Sequence, residues 1–489
     1  MTRWRLAAVA TIVLWCAIML ALRRTDAITD DWHGWRQADT QAIARNLAVE
    51  DFDPLRPRID WRGDGPGFVE SEAQLYPALI AVALRAAGDS VWPGQLLSLA
   101  CVALTAAVLF AALARRFGGA AAYAALASML SMQGTIVVST SIQPDTLSLF
   151  AFTVGFVGFL DYLERPSRAR LARWIVATAI AGLVKPTTLE LGLAQGVYVV
   201  LARRAALRDV KVWLGWAIVV GAVAAHLLHA RQLYLEYGNT FGVLSGGDSK
   251  LPSAAALAAV EPWRELARYS IVWGVGVLAV PAAIYLAWRR RLGPEERALA
   301  VGALALSLLA LRYTSGRFGT HYHLPHVVLG VWLVARATHA LLEARPRLGV
   351  GLAIVVAIAA LALTARALRF VRALPPERET AVGAQLAAAA PPGTRVVVRA
   401  RAERWNVEWR TPNNFEDPRV FYLSRTKGWV LPNDEPGAAR LASYAARGAR
   451  FYAHVHQIVP DAELTAWLAA NATRVSETAD GAIYALRVK

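Results

Sequence analysis

Long apolar segments separated by short basic loops are the feature that most constrains this chain. A helix needs about 20 mostly apolar residues to cross a bilayer, and about eleven segments approach that length. They are 6–22, 94–114, 119–138, 146–163, 172–185, 188–202, 212–229, 270–288, 296–312, 324–342 and 348–366. Only 18% of residues are charged, against about a quarter in soluble domains. The sequence therefore predicts an all-α polytopic membrane domain and excludes disordered, collagen-like, coiled-coil and small disulfide-bonded chains.

The basic residues cluster after alternate apolar segments. The clusters lie at 3–5, 115–116, 165–173, 203–211, 289–291 and 345–347, and all fall on one side if the N-terminus is cytoplasmic. Arg23 and Arg24 are the exception. By the positive-inside rule we expect a cytoplasmic N-terminus and an extracytoplasmic C-terminus in a bacterial cytoplasmic membrane. Because these loops account for much of the net charge of +16, nucleic acid is not an expected partner.

Composition divides the chain in two. Residues 1–370 hold the apolar segments and a long first outer loop at about 26–92, whereas residues 371–489 are polar. We predict that the polar segment forms a small extracytoplasmic α/β domain with strands at 395–399 and 482–486 and helices at 438–447 and 461–471. Its aromatic residues, Trp405, Trp409, Tyr422 and Trp429, suit either an acceptor-contacting surface or a domain core.

The first outer loop is rich in acidic and aromatic side chains. Spacing from Asp39 to Asn46 predicts an amphipathic helix on the membrane surface, with Ile43 and Leu47 facing lipid. A carboxylate at that place suits a general base. From composition alone, the stronger interpretation of Asp39 is a plain N-terminal helix residue favoured by the helix dipole.

Ionisable residues inside apolar segments mark candidate functional sites. Lys185 lies beside a proline, although a cation reaching towards the membrane edge is the alternative. Asp145 is a candidate ligand-binding residue or a helix N-cap. The spacing of His321, His323 and His326 does not match a structural zinc site.

Five short motifs, in order, carry a resemblance to a known family. They are Ala38-Asp39-Thr40, Phe68–Tyr76 with Glu70 inside it, Ser141–Asp145, Leu183–Pro186 and Arg317–Pro325. Over residues 1–370 this arrangement resembles the GT-C superfamily of membrane glycosyltransferases, in the branch of protein O-mannosyltransferases and aminoarabinose transferases (glycosyltransferase family 39-like). The sequence departs from that branch where Thr40 replaces the second acid of an Asp-Glu pair and Ser71 replaces a lysine.

The resemblance implies transfer of a sugar, with inversion, from a polyprenyl-phosphate donor to a glycan, lipid or protein acceptor on the outer face of the membrane. It implies Asp39 as general base and Glu70 as its assistant or as an acceptor-orienting or metal-binding group, with Asp145 on the acceptor side. Cations must offset the charge of the leaving phosphate, and the candidates are Arg36, Lys185, Arg317 and His321. Gln37, Tyr322 and His323 complete the predicted substrate-binding set. No cofactor is required, and no residue pattern supports a divalent cation.

Two other classes of protein fit part of the sequence. A transporter or flippase for lipid-linked sugars explains the helices and cations but predicts inverted repeats, which the sequence lacks. A non-catalytic membrane scaffold binding partners through residues 375–489 predicts no need for Asp39 or Lys185.

Overall fold

A computed structural model describes residues 2–22, 34–245, 251–315, 317–372, 377–400, 405–406, 411–412, 416–456 and 461–487. Contacts divide the chain into two compact units. Unit 1 comprises Met1–Thr25, Gln95–His226 and Lys250–Ala373, and unit 2 comprises Asp26–Gly94, Leu227–Ser249 and Leu374–Lys489. The first outer loop is therefore grouped with the C-terminal segment, while the boundary near residue 370 stays a prediction from composition.

The described part of the chain is mainly helical. In chain order the helices are α1 Thr2–Leu22, α2 Gly34–Val49, α3 Leu75–Ala87, α4 Trp92–Phe117, α5 Gly119–Ser131, α6 Gln133–Ser139, α7 Asp145–Glu164, α8 Arg168–Val184, α9 Glu190–Ala202, α10 Val210–Tyr237, α11 Ala254–Ala258, α12 Val260–Tyr269, α13 Ala279–Trp288, α14 Pro294–Leu309, α15 Leu311–Thr314, α16 Val327–Ala344, α17 Pro346–Arg372, α18 Arg378–Ala389, α19 Arg419–Ser424, α20 Gly437–Ala446 and α21 Ala462–Asn471. Short 3₁₀ segments cover Pro186–Leu189, Arg204–Arg208 and Arg317–His326, and a π-helical turn covers Ser270–Val275.

Five described helical segments are long and apolar enough to cross a membrane: those containing α1, α4, α7, α10 and α16. The count rises to seven if two bent pairs each form one span, with bends of 63° between α5 and α6 and 100° before α13. The predicted count of eleven is not confirmed. All eleven predicted segments lie on helical segments, but α8, α9 and α14 have only 17, 13 and 16 residues.

Small residues allow close helix packing in unit 1. A Cβ on Gly155 would lie 2.8 Å from Thr178 Oγ1, so α7 and α8 approach closely at that point. The buried Trp174 indole donates a hydrogen bond of 3.1 Å to Gln195 Oε1, which links α8 to α9. Close backbone approach and buried polar contacts are typical of helix association in membranes.

Unit 2 contains a five-stranded mixed sheet. The strands of the chain are β1 Arg395–Arg399, β2 Trp405–Asn406, β3 Thr411–Pro412, β4 Lys427–Val430, β5 Phe451–Val455, β6 Ala472–Glu477 and β7 Gly481–Leu486. The sheet order is β4-β1-β5-β7-β6, with β1 parallel to β4 and β5, and β7 antiparallel to β5 and β6. The predicted C-terminal strands and helices are confirmed within a residue at each end.

The alternating residues of β1 pack into two cores, because successive strand side chains point to opposite faces. Val396 and Val398 join a core with α18 and α19, whereas Val397 joins one with α20 and α21. Ile43 and Leu47 of α2 lie in the first of these cores and are each 2% exposed. The prediction that these two residues face lipid is therefore wrong, since unit 2 itself covers the apolar face of α2.

The aromatic residues of the C-terminal segment are in part core residues. Tyr422 and Trp429 are buried, and Trp429 stacks on Tyr444 with 5.2 Å between ring centroids. The Trp405 side chain and Trp409 lie outside the described residues. Trp429 also lies against a glycine-rich turn, in which Gly63 and Gly67 are in the left-handed region at φ of 61° and 81°.

Candidate active site

Asp39 occupies a closed environment in α2. Asp39 is 2% exposed, and Trp61 Nε1 donates a hydrogen bond of 3.0 Å to Asp39 Oδ1. Because α2 is described from Gly34, Asp39 lies in the second helical turn. The helix dipole acts chiefly on the first turn, so the dipole alone does not account for a carboxylate at this position.

The environment of Asp39 favours its protonated form. Burial raises the pKa of Asp39 from its ordinary value of 3.8 to about 8, and the nearby carboxylates of Asp60 and Glu416 act in the same direction. The Trp61 hydrogen bond and the Arg36 charge lower the pKa without cancelling the effect of burial. A carboxylate with a pKa near the working pH is well suited to accept a proton during a reaction.

Arg36, one turn before Asp39, is held by two contacts in unit 2. Its Nη2 lies 2.9 Å from Glu72 Oε2, and its guanidinium lies 5.5 Å from the centroid of the Phe241 ring. Phe241 also makes an edge contact with Trp61, with ring centroids 6.0 Å apart. Arg36 is thus fixed near Asp39 by a carboxylate and an aromatic ring, while Gln37 beside it is fully buried.

A buried ionic network fixes the segment that carries Trp61. Asp60 accepts a hydrogen bond of 2.7 Å from Arg45 Nη2 and one of 2.9 Å from Asn46 Nδ2. Arg45 Nη1 also donates to the carbonyl of Tyr422 at 3.0 Å. Arg45 and Asn46 of α2 and the Gly428 amide of the C-terminal segment all donate hydrogen bonds to Asp60, so the adjacent indole is held against Asp39. The sequence offered no signal for Trp61, whose role depends on this long-range network.

Glu70 is fully buried, and its carboxylate is occupied by donors from the segment 240–245. Oε2 accepts from Thr240 Oγ1 at 2.7 Å, and Oε1 accepts from the amides of Leu244 and Ser245 at 2.8 and 2.9 Å. The Glu70 backbone also bonds to Asn239 and Phe241. These contacts make Glu70 an anchor for a segment that includes Phe241, and its part in catalysis stays a prediction.

Replacing Glu70 tests this anchor. Glu70→Gln places an amide NH₂ against at least one donor of the segment, because both carboxylate oxygens accept hydrogen bonds. Hydrogen bonds to charged groups contribute about 1.5–3 kcal/mol, so we expect amide hydrogen exchange at Leu244 and Ser245 to be about tenfold faster or more. Glu261→Gln, at an exposed position, is the matched control. Unchanged exchange in Glu70→Gln would contradict the anchoring role.

Unit 1 contains the other predicted ionisable residues. Lys185 follows the C-terminus of α8 in an extended conformation, and Asp145 begins α7. Lys185 Nζ lies 2.8 Å from Asp145 Oδ1, with both side chains buried, and 4.9 Å from the centroid of the Tyr322 ring. Buried charges in a membrane domain commonly pair in this way. Pro144, and not Asp145, occupies the N-cap position of α7, so the pairing with Lys185 explains the position of Asp145 better than capping.

The 3₁₀ segment Arg317–His326 brings further polar groups to unit 1. The His321 and Tyr322 rings are 4.3 Å apart, and His323 Nε2 donates to the Thr314 carbonyl at 2.6 Å. Glu190, which sequence reasoning missed, is buried with Oε2 lying 3.5 Å from His326 Nε2. An acidic residue between two leucines in an apolar segment was the available signal. The side chain of Arg317 lies outside the described residues.

The structure thus groups the predicted residues in two sets. Arg36, Gln37, Asp39 and Glu70 lie in unit 2, whereas Asp145, Lys185, His321, Tyr322 and His323 lie in unit 1. Arg36 and Lys185, two of the predicted phosphate-binding cations, each have a carboxylate partner. Among the described residues, no group of three or more His, Cys, Asp or Glu side chains has an arrangement that could hold a metal ion.

Comparison with known proteins gives two kinds of match. Residues 71–229 match the family model described as dolichyl-phosphate-mannose-protein mannosyltransferase. Among solved structures, ArnT from Cupriavidus metallidurans in the apo state is similar with a TM-score of 0.65 and 15% identity, covering 99% of this chain and 98% of that chain. ArnT bound to undecaprenyl phosphate gives a TM-score of 0.62, with the same identity and coverage. No curated protein matches the chain.

A third similar structure is the oligosaccharyltransferase of Archaeoglobus fulgidus in complex with Zn and sulfate. Its TM-score is 0.53 at 13% identity, covering 97% of this chain and 73% of that chain. The chain therefore has the fold that ArnT and this oligosaccharyltransferase share. The resemblance predicted from the five sequence motifs is confirmed, and the family model begins within the motif that contains Glu70.

Proposed function

We propose that this protein is a membrane glycosyltransferase that moves a sugar from a polyprenyl-phosphate donor to an acceptor hydroxyl on the outer face of a bacterial cytoplasmic membrane. The GT-C fold supports the reaction class. The similarity to ArnT, which has been solved with undecaprenyl phosphate bound, supports the donor class. The acceptor is a glycan, a lipid or a protein.

The observation that carries the proposal is the buried carboxylate of Asp39 with its raised pKa. In the proposed step, the acceptor oxygen attacks the anomeric carbon as Asp39 takes the hydroxyl proton. The bond from that carbon to the phosphate oxygen breaks, and the lipid phosphate leaves with the electron pair. A single displacement of this kind inverts the anomeric configuration. Trp61 holds one oxygen of Asp39 and leaves the other for the incoming proton.

The leaving phosphate needs positive charge, which the proposal assigns to Arg36, Lys185, Arg317 and His321. Arg36 and Lys185 are balanced by Glu72 and Asp145 in the structure. The phosphate therefore has to compete with these carboxylates, and each cation is kept in place before the donor arrives. Gln37, Tyr322 and His323 are proposed as polar contacts to the substrates, and Glu70 and Asp145 shape the acceptor side.

Transfer from a panel of radiolabelled polyprenyl-phosphate sugars into membrane extract tests the proposal. The purified full chain is expected to move label from at least one donor to an acceptor in the extract, and boiled protein serves as the control. Movement of a labelled lipid across vesicle membranes without transfer would contradict the proposal and favour the flippase alternative. Absence of both activities with every donor, in protein that elutes as a single folded species, would favour the scaffold alternative.

The rate of transfer is expected to depend on pH through Asp39. The base acts in its ionised form, so below the pKa of about 8 the rate at low donor concentration rises about tenfold per pH unit, then levels off. Trp61→Phe removes a hydrogen bond that lowers the pKa of Asp39. The rising limb should therefore move to higher pH, with a rate at pH 7 reduced up to about tenfold.

The matched control for Trp61→Phe is Trp92→Phe, since Trp92 is 40% exposed. Its pH profile should equal that of the wild type. If Trp61→Phe lowers the rate uniformly and leaves the rising limb of the pH–rate profile where it is in the wild type, the indole acts only through packing.

A further inference from the structure

An open apolar groove lies on unit 1 between α9 and α10, outside the residues assigned to transfer. It has a volume of about 420 Å³ and is lined by Gly192, Leu193, Gly196, Val200, Leu207, Trp213 and their apolar neighbours. Space beside Gly192 and Gly196 is open, because a Cβ at either would meet no described atom within 4 Å. Leu193, Val200 and Trp213 are 44%, 47% and 53% exposed, so the described residues leave the groove without a cover.

Basic residues stand at one end of this groove. Arg203 and Arg204 follow the last groove residue of α9, Arg208 follows Leu207, and Lys211 precedes Trp213 by two positions. All four are exposed. The one acid among them is Asp209, whose carboxylate accepts hydrogen bonds from the Tyr162 hydroxyl and from the Lys211 amide at 3.0 Å each. The rim therefore offers a local excess of positive charge.

We propose that this groove binds an anionic phospholipid, with an acyl chain along α9 and the phosphate at the basic rim. Charge complementarity selects this occupant, because an apolar surface alone would accept any acyl chain, whereas juxtamembrane Lys and Arg favour an anionic head group. Because Gly192 and Gly196 have no side chain, the acyl chain can approach the α9 backbone closely. Trp213 and Trp216 line the groove beside the rim, and tryptophan is typical of the level of lipid head groups.

Native mass spectrometry of the full chain tests the assignment. The protein is purified from bilayers of phosphatidylglycerol and phosphatidylcholine mixed in equal amounts with the same acyl chains. We expect the wild type to retain phosphatidylglycerol in preference to phosphatidylcholine. Three rim charges are removed in Arg204→Gln/Arg208→Gln/Lys211→Gln, which is expected to lower this preference by at least about tenfold.

The matched control is Arg289→Gln/Arg290→Gln/Arg291→Gln, which removes three charges from another basic loop and should leave the preference unchanged. Gly192→Leu/Gly196→Leu fills the groove floor and should abolish retention of phosphatidylglycerol. If this double variant fails to fold, Val200→Trp, at an exposed position, narrows the groove instead. Equal losses in both charge variants would overturn the proposal. So would retention of phosphatidylglycerol by folded groove variants, equal retention of the two phospholipids by the wild type, or displacement of phosphatidylglycerol by equimolar undecaprenyl phosphate.

Discussion

Asp39→Asn is expected to lower transfer by about 10²- to 10⁴-fold, the contribution of a positioned general base. Asparagine has the shape of the aspartate side chain, and its amide oxygen accepts the Trp61 hydrogen bond that Asp39 Oδ1 accepts at 3.0 Å. It lacks a basic oxygen for the acceptor proton. The loss should appear in the rate of the single-turnover reaction at saturating donor, with little change in donor affinity.

The same substitution should not destabilise the protein. In the folded state the pKa of Asp39 is raised to about 8 from an ordinary value of 3.8. Between these values the folded state holds a proton that the unfolded state has lost, so wild-type stability falls as pH rises through this window. Asparagine does not titrate. Thermal unfolding should therefore show Asp39→Asn gaining on the wild type from pH 5 to pH 8.

Asp51→Asn is the matched control for this pair of measurements. Asp51 is exposed, and the same change of carboxylate to amide should affect neither transfer nor the pH dependence of stability. Full transfer activity in correctly inserted Asp39→Asn would show that the base assignment is wrong. A lower melting temperature at pH 8 would show that the charged carboxylate stabilises unit 2.

Lys185→Met is expected to lower the free energy of unfolding by about 3–5 kcal/mol, because it leaves Asp145 as an unpaired buried carboxylate. The Lys185–Asp145 contact of 2.8 Å joins two side chains that are 8% and 4% exposed. Methionine retains most of the apolar part of the lysine side chain, so the loss of stability measures the effect of removing the charge. Denaturant titration in mixed micelles, followed by circular dichroism, measures the effect.

The double variant Lys185→Met/Asp145→Asn separates the contribution of the ion pair to stability from the contribution of Lys185 to donor binding. With both charges gone, most of the lost stability should return, whereas donor binding should stay weak if Lys185 also holds phosphate. Asp145→Asn alone frees the ammonium and should tighten binding of undecaprenyl phosphate. A Lys185→Met protein as stable as the wild type would contradict a structural role for the pair. Unchanged donor binding in the double variant would remove Lys185 from the proposed phosphate site.

Local sequence pattern predicted much of the fold. The apolar segments lie on helices, and the short apolar runs within Arg395–Arg399 and Gly481–Leu486 form strands, because segment length and local residue preference distinguish the two. The count of eleven spans is not confirmed, since apolar composition does not reveal where a helix ends or bends. The α5–α6 break of 63° falls within a segment that reads as one continuous apolar run.

Local patterns in the sequence were enough to predict most of the helices and strands, the apolar character of unit 1 and the resemblance to GT-C enzymes. They also marked Asp39, Asp145 and Lys185 as unusual for their surroundings. The surroundings of these residues are known only from the folded chain, in which Trp61 lies against Asp39 and an ion pair joins α7 to the end of α8. The same holds for Ile43 and Leu47, which lie inside unit 2 rather than in lipid. Periodicity is set by neighbouring residues, whereas burial and charge pairing depend on side chains that lie far apart in the sequence and meet only after folding.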